Sequence, residues 1–370
     1  MPGLQVVIVY NKENTVLEAL SQSLSKLVVR FTRLASVKYF DVRQPPQACD
    51  ICIHLCEPYA VWFSWAKVSF MIVDKWNEAW NGYRDSFISL IDKDTINEDV
   101  ISKIINECKE SIEQMGSNPV ILPPVLLQND CPPISIITLV HNRPKFIENA
   151  FLNLLSTDYP KDKIEWIVID DSESDKSPSD RIIKFENQFP GTIIYIPLTK
   201  KTSIGSKRNQ AIKRSKNDII LMMDDDDHYP ETSFRRRVAY LTKGRSQALC
   251  AVCTTIAMYD LNTGVSAVNV PPFDLSLGQR CSEATLTFTK AFWEGRNFEI
   301  VDMAEGEGFL NGREQFVVEM PPQQIIVALS HGTNTSRRKT PEGDPGCFWG
   351  FPRELIEFLH GLIGVKIEAV

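Results

Sequence analysis

Ile219-Ile220-Leu221-Met222-Met223-Asp224-Asp225-Asp226-Asp227-His228 sets five apolar residues directly before four carboxylates. An apolar run of this length without polar alternation reads as a strand covered on both faces, as in the interior of a parallel sheet. Four adjacent carboxylates repel one another, and such crowding is relieved by solvent or by a cation. At the end of a buried strand, a hard divalent ion held by one or two carboxylates and by phosphate oxygens is the natural relief, so Mg²⁺ or Mn²⁺ is expected here.

Upstream, Ser135 to Val140 reads as a strand, His141-Asn142-Arg143-Pro144 as a turn, Phe146 to Leu155 as a helix and Glu165 to Ile169 as a second strand that runs into Asp170-Asp171. In open α/β sheets ligands bind outside the carboxyl ends of the strands, so these acids stand where they can accept bonds from a nucleobase or a ribose. Thr202-Ser203-Ile204-Gly205-Ser206-Lys207-Arg208-Asn209 opens a further helix with small residues and two cations. Exposed N–H groups and added positive charge suit an anion, so Lys207 and Arg208 are expected to face a diphosphate. With Asp224 and Asp226 two apart, a short loop aims one at the ribose and the other at the metal.

Four motifs in this order, Thr138-Leu139-Val140-His141-Asn142-Arg143, Val168-Ile169-Asp170-Asp171, Gly205-Ser206-Lys207-Arg208-Asn209 and Met223-Asp224-Asp225-Asp226-Asp227, resemble the family 2 glycosyltransferases of the GT-A fold over about 200 residues. The resemblance implies an inverting sugar transfer from a nucleoside-diphosphate sugar, UDP-sugar favoured. It further implies a donor side built from Val140, Asn142, Arg143, Asp170, Asp171, Lys207, Arg208, Asp224 and Asp225, with Asp226 as metal ligand and Asp227 behind it. In the family an acidic pair at the start of a late helix supplies the general base. This chain has Glu305-Gly306-Glu307-Gly308 there, and Glu307 is expected to act, with Glu305 second, because Phe309-Leu310 then begins the helix at the family's offset. By the same resemblance His331, after the strand Ile325 to Leu329, completes the metal shell. Arg337 and Arg338 would clamp the diphosphate as a Pro- and Gly-rich lid, Thr340 to Gly346, closes to exclude water.

The first 115 residues alternate apolar runs with amphipathic stretches, the pattern of a small Rossmann-like or flavodoxin-like α/β layer. Val6 to Tyr10, Val37 to Phe40, Ile51 to Leu55, Val68 to Val73 and Phe87 to Ile91 read as strands. Asn14 caps a helix through Leu17, Leu20, Leu24 and Leu27, and Ile101, Ile104, Ile105, Cys108, Ile112 and Met115 form the apolar stripe of another. The layer has neither a G-x-G-x-x-G turn nor a Walker-type phosphate loop, which leaves it an accessory role. Trp76 and Trp80 read as packing residues. Five prolines between Gly116 and Pro133 mark a stiff linker. The expected division is thus 1–116, an α/β accessory domain; 117–133, the linker; 134–347, the GT-A domain; and 348–370, an amphipathic helix with Leu355, Phe358, Leu359 and Leu362 on its apolar face.

A net charge of −7 argues against a dominant electrostatic hold on nucleic acid. No apolar run is long enough for a membrane span, and the start of the chain lacks a secretory pattern, so a cytoplasmic protein is expected. Nine scattered cysteines read as reduced, buried thiols rather than zinc ligands, the Cys49/Cys52 and Cys250/Cys253 spacings included. The acceptor is expected to be a hydroxyl of a glycan, a protein or another molecule. Two alternatives compete: a sugar-1-phosphate nucleotidyltransferase, which needs a Gly-rich loop after the first strand where this chain has His141-Asn142-Arg143-Pro144, and an inactive module that only binds nucleotide or glycan.

Overall fold

The computed structural model describes residues 4–31, 36–41, 49–59, 62–63, 66–115, 125–242, 248–272, 275–334 and 349–365. The chain divides into two compact units, one formed by Met1–Pro123 and Val318–Pro321, the other by Pro124–Val317 and Pro322–Val370.

In the first unit, β1 (Gln5–Tyr10), α1 (Thr15–Phe31), β2 (Ser36–Asp41), β3 (Cys49–Leu55), β4 (Ala66–Val73), β5 (Leu90–Asp92) and α2 (Glu98–Met115) build a parallel sheet of order β2-β1-β3-β4-β5. This is the flavodoxin-like order. The Asn14 side chain accepts the N–H groups of Val16 and Leu17 at the start of α1. One expected strand is shorter than its apolar run: Phe87 precedes β5 and joins Met71 and Tyr83 in a small aromatic core, reached through a 3-10 helix over Glu78–Ser86. Trp76 and Trp80 pack edge to face on that core, with ring centroids 5.8 Å apart.

The second unit begins with β6 (Ile134–Val140), α3 (Ile147–Ser156), β7 (Ile164–Asp170), α4 (Ser179–Glu186), β8 (Thr192–Pro197), α5 (Ile204–Arg214), β9 (Ile219–Met222) and α6 (Ser233–Thr242). It continues with β10 (Cys250–Val252), β11 (Ile256–Asp260), β12 (Ser266–Asn269), α7 (Leu277–Arg280), β13 (Thr287–Thr289), α8 (Lys290–Gly295), α9 (Glu305–Leu310), β14 (Val317–Glu319, which straddles the division between the units), β15 (Val327–Ser330) and α10 (Arg353–Ile363). The main sheet has the order β14-β10-β13-β9-β6-β7-β8. Strands β9, β6, β7 and β8 are parallel, which is why each reads as nearly continuous apolar sequence.

The chain winds from β6 outward through β7 and β8, then returns to lay β9 on the other side of β6. That reversal makes the carboxyl ends of β6 and β9 a topological switch point, where such sheets bind ligands. Strand β13 runs antiparallel to β9, so its leading turn arrives at this same edge. A 3-10 turn over Glu283–Thr285 leads into β13.

Under the sheet, Ile137, Ile167, Ala211, Met222, Phe288, Phe292 and Phe309 form one buried cluster. Helix α9 has only six residues, far too few to be stable alone. Phe309, fully buried and stacked on Phe298 at 4.0 Å, holds it down, worth roughly 1.5–3 kcal/mol in burial. A second sheet, β12-β11-β15, carries α10, whose Leu359 and Leu362 pack on Tyr259 and Leu329. A backbone bridge from His228 to Val327 ties the acidic turn to β15. Among the described residues no helix is long and apolar enough to cross a membrane, and the eight described cysteines are free.

Candidate active site

A cleft of about 520 Å³ opens at the carboxyl edge of β6, β7 and β9. Arg143, Asp171, Lys207, Arg208, Asp224, Asp226, Asp227 and Glu305 reach it from five different segments. Seven carboxylates line it against four cations, Asp302 and Glu283 adding to the acids and Lys201 to the cations.

The acidic turn is held from behind by groups that the sequence reading passed over. Asn149 donates to the carbonyls of Asp225 and Asp227 at 3.0 and 2.8 Å, and Asn153 donates to Asp227 at 2.8 Å while accepting the Tyr229 N–H at 3.0 Å. The signal for them was two asparagines four apart on the face of α3 that buries Ala150 and Leu154. The Tyr229 hydroxyl accepts the Asp224 N–H at 2.9 Å and donates to the Ala284 carbonyl at 3.1 Å, joining this turn to the one that carries Glu283. Beneath it lies Arg237, fully buried, bonded to Thr287 Oγ1 and to the carbonyls of Met222 and Leu286. Burial brings its guanidinium down to about 10.

The four aspartates have different surroundings. Asp227 Oδ1 accepts the Leu329 N–H at 3.0 Å, a bond within the scaffold. Asp225 has no exposed surface, lies behind the cleft and meets Arg143 at 2.6 Å; burial, then Asp226 and Asp224, push it up to about 7 against the pull of that arginine. Asp224 lines the cleft and is raised by burial and by Asp226. For Asp226, burial opposes the charge, but Arg143 and His331 outweigh it and hold the carboxyl down at about 2.

The Asp226 Oδ2 atom gathers the Arg143 guanidinium, Asn334 Nδ2 at 3.3 Å and His331 Nε2 at 3.1 Å. Phe146 stacks on the His331 ring at 4.3 Å, and Nδ1 accepts the Thr333 N–H at 3.3 Å, which leaves the proton on Nε2 facing Asp226, where a bound cation would replace it. Neighbouring ligands ~2.1 Å from one octahedral ion stand roughly 3 Å apart, so Asp226 and His331 fit as two ligands of a divalent cation. Among the described residues no group of three or more His, Cys, Asp or Glu side chains surrounds a single point. Two such side chains would make a partial shell, and an ion held there would keep water and phosphate oxygens as its other ligands.

Other expected donor-side residues fall elsewhere. Asp170 is consumed by the scaffold, accepting Ser172 N, Ser177 Oγ and the Tyr195 hydroxyl at 2.7–2.8 Å. Val140 is buried, its carbonyl taken by the Asp171 N–H. Asn142 forms a left-handed corner at φ 54° and braces Ser172 and Glu173. None of these, nor Asp225, lines the cleft. Asp171 does, but its oxygens already accept Lys207 Nζ at 2.8 Å and the Thr202 N–H at 2.9 Å. These bonds hold the carboxyl below its usual range in spite of burial. Arg337, Arg338 and the Thr340 to Gly346 lid lie outside the described residues, as does the linker from Gly116 to Pro124.

The helix start at Gly205 is not open to an anion. Its N–H donates to the Val301 carbonyl at 3.0 Å, and a Cβ there would lie 1.8 Å from the Glu299 carbonyl oxygen. Glycine is required for this close approach of chain to chain. The two glutamates of the Glu305-Gly306-Glu307-Gly308 stretch are placed differently. Glu305 lines the cleft, whereas Glu307 does not, its backbone lying against Gly278 of α7. Ala304, just before Glu305, sits in the left-handed region at φ 54°, a strain of order 1–2 kcal/mol for a residue with a Cβ.

Residues 135–298 match the family model described as Glycosyl transferase family 2. This segment is a family 2 glycosyltransferase domain. The transferase domain has the mixed α/β GT-A fold, and the chain adds a small α/β unit before it. The poly(ribitol-phosphate) beta-N-acetylglucosaminyltransferase TarS of Staphylococcus aureus is 25% identical over 115 residues, 31% of this chain and 20% of its own length. The poly(ribitol-phosphate) beta-glucosyltransferase of Bacillus spizizenii is 30% identical over 95 residues, 26% of this chain and 15% of its own length. The chain therefore spans a fifth or less of the length of these curated relatives. Among solved structures, TarS 1-349 from S. aureus in complex with UDP aligns at a TM-score of 0.43 and 18% identity, over 53% of this chain and 60% of that one. The mannosyltransferase PcManGT from Pyrobaculum calidifontis in complex with GDP-Man and Mn²⁺ aligns at 0.42 and 16%, over 58% and 61%.

Proposed function

We propose that the chain transfers a sugar, with inversion, from a nucleoside-diphosphate sugar to a hydroxyl acceptor, with Mn²⁺ or Mg²⁺ held by Asp226 and His331. The observation that carries this is electrostatic. A cleft lined by seven carboxylates and four cations repels a diphosphate, and three of the cations, Arg143, Lys207 and Arg208, are already paired with carboxylates. A diphosphate settles there only with a dication between it and the acids. Bound there, the cation supplies charge stabilisation for the departing diphosphate.

Asp224 is assigned to the ribose or sugar and Asp171 to the nucleobase side. Glu305 is assigned the acceptor: it takes the hydroxyl proton as the oxygen attacks C1 from the face opposite the diphosphate. Both Arg208 bonds go to Glu305 Oε1, so Oε2 carries no protein hydrogen bond among the described residues. The named relatives' N-acetylglucosaminyl and glucosyl transfers support a hexose-type donor sugar, and a UDP-sugar is the donor favoured here.

The test is calorimetric titration of UDP with and without Mn²⁺. Binding is expected only with the cation, and Asp226→Asn is expected to remove it while leaving the melting temperature within a few degrees. Equal binding without a dication would contradict the bridging role, and no nucleotide binding under any condition would contradict the transferase.

A further inference from the structure

We infer that Arg208 is a positioning residue for Glu305 rather than a clamp on the donor diphosphate, an inference that rests on the transferase reading above. The sequence alone suggested the clamp, because Lys207 and Arg208 open a helix. The structure turns both inward to carboxylates on different segments: Lys207 Nζ to Asp171 at 2.8 Å, and Arg208 Nε and Nη2 to Glu305 Oε1 at 2.8 and 2.7 Å. Arg208 and Glu305 are each only 4% exposed.

The rest of the motif fastens the same segment. Gly205 admits the Glu299–Val301 backbone and bonds Val301. Asn209 Nδ2 donates to the Phe298 carbonyl at 2.8 Å, and its Oδ1 accepts Phe298 N–H and Trp293 Nε1–H at 3.0 and 2.8 Å. The Phe298 ring lies 5.8 Å from the guanidinium carbon. Helix α5 is thereby a brace for the chain that leads into α9, and Arg208 is its last tie, across the strained Ala304. The other charged or titratable groups that act on this pair are Asp224 after β9, Glu283 before β13 and Cys281 after α7. Asp224 and Glu283 are acids, so Arg208 is the cation of the group, and without it Glu305 would be a buried charge among other acids.

A clamp and a brace predict different kinetics. If Arg208 acts through Glu305, Arg208→Gln lowers kcat for UDP release from a UDP-sugar by about tenfold or more while the dissociation constant of UDP with Mn²⁺ stays within roughly threefold. Arg208→Lys restores part of the lost rate. Thermal melting of Arg208→Gln, Glu305→Gln and the double variant provides a readout free of catalysis. The double variant is expected to melt above Arg208→Gln, because the unpaired carboxylate is gone. A UDP affinity weakened about tenfold in Arg208→Gln with kcat retained would overturn the inference, as would additive losses in melting temperature. Absence of UDP binding in the unaltered protein would overturn the transferase reading instead, and the melting cycle would still decide whether Arg208 and Glu305 act as a pair.

Discussion

Glu305 and Glu307 differ by two positions in sequence and by their surroundings. One lines the cleft with an arginine at its back, and the other turns along α7. Glu305→Gln is therefore expected to reduce transfer by about 10²- to 10⁴-fold, the usual worth of a general base, while Glu307→Gln stays within a few-fold of the unaltered enzyme in the same UDP-release assay. The opposite ranking would return the base to Glu307. The residue types of the site were legible in the sequence, because carboxylates at strand ends are few and strand ends are readable. Their directions were not. Whether Asp170 or Asp171 reaches a ligand depends on Ser177 and Tyr195, which capture Asp170 from 7 and 25 residues away in sequence. No local pattern encodes such a capture.

Elements carry the positioning. Helix α3 acts through Asn153, which ties the Asp227 carbonyl and the Tyr229 N–H at once. Asn153→Ala is expected to cost about 1–3 kcal/mol, since both backbone groups are buried, and to weaken Mn²⁺-dependent UDP binding with it; urea unfolding and calorimetry report the two losses, and loss of stability alone would separate α3 from the site. In the first unit, β3 buries His54 completely, with Nδ1 accepting the Tyr59 N–H at 3.0 Å, and burial lowers the imidazole to about 3. The folded value is depressed below the ordinary 6.5, so the fold disfavours the charged ring. Its stability contribution is whole above pH 6.5 and declines as pH falls toward 3. Melting temperatures between pH 7 and 4 should fall less in His54→Gln than in the unaltered protein; parallel curves would assign the acid sensitivity to other groups. Strands and long helices were legible from period and capping, as Asn14 and the stripe of α2 illustrate. Short elements such as α9 and the turn over Glu283–Thr285 were not, because tertiary packing of Phe309 and the antiparallel approach of β13, not local propensity, define them.

At the scale of the whole molecule, a parallel-sheet unit is followed by a mixed-sheet unit, and among the described residues the second gathers acids from several segments into a cleft. The reversal of winding at β6 explains why. It brings the ends of β6 and β9 side by side, sets β13 to arrive from the opposite direction, and lets β15 deliver His331 to Asp226. The most direct measurement is a crystal structure with UDP and Mn²⁺. The ion should lie on Asp226 Oδ2 and His331 Nε2 with the diphosphate on its far side, and Arg208 should remain on Glu305. A nucleotide bound away from the 224–227 turn, or an ion that leaves Asp226 to Arg143 alone, would contradict the proposed function.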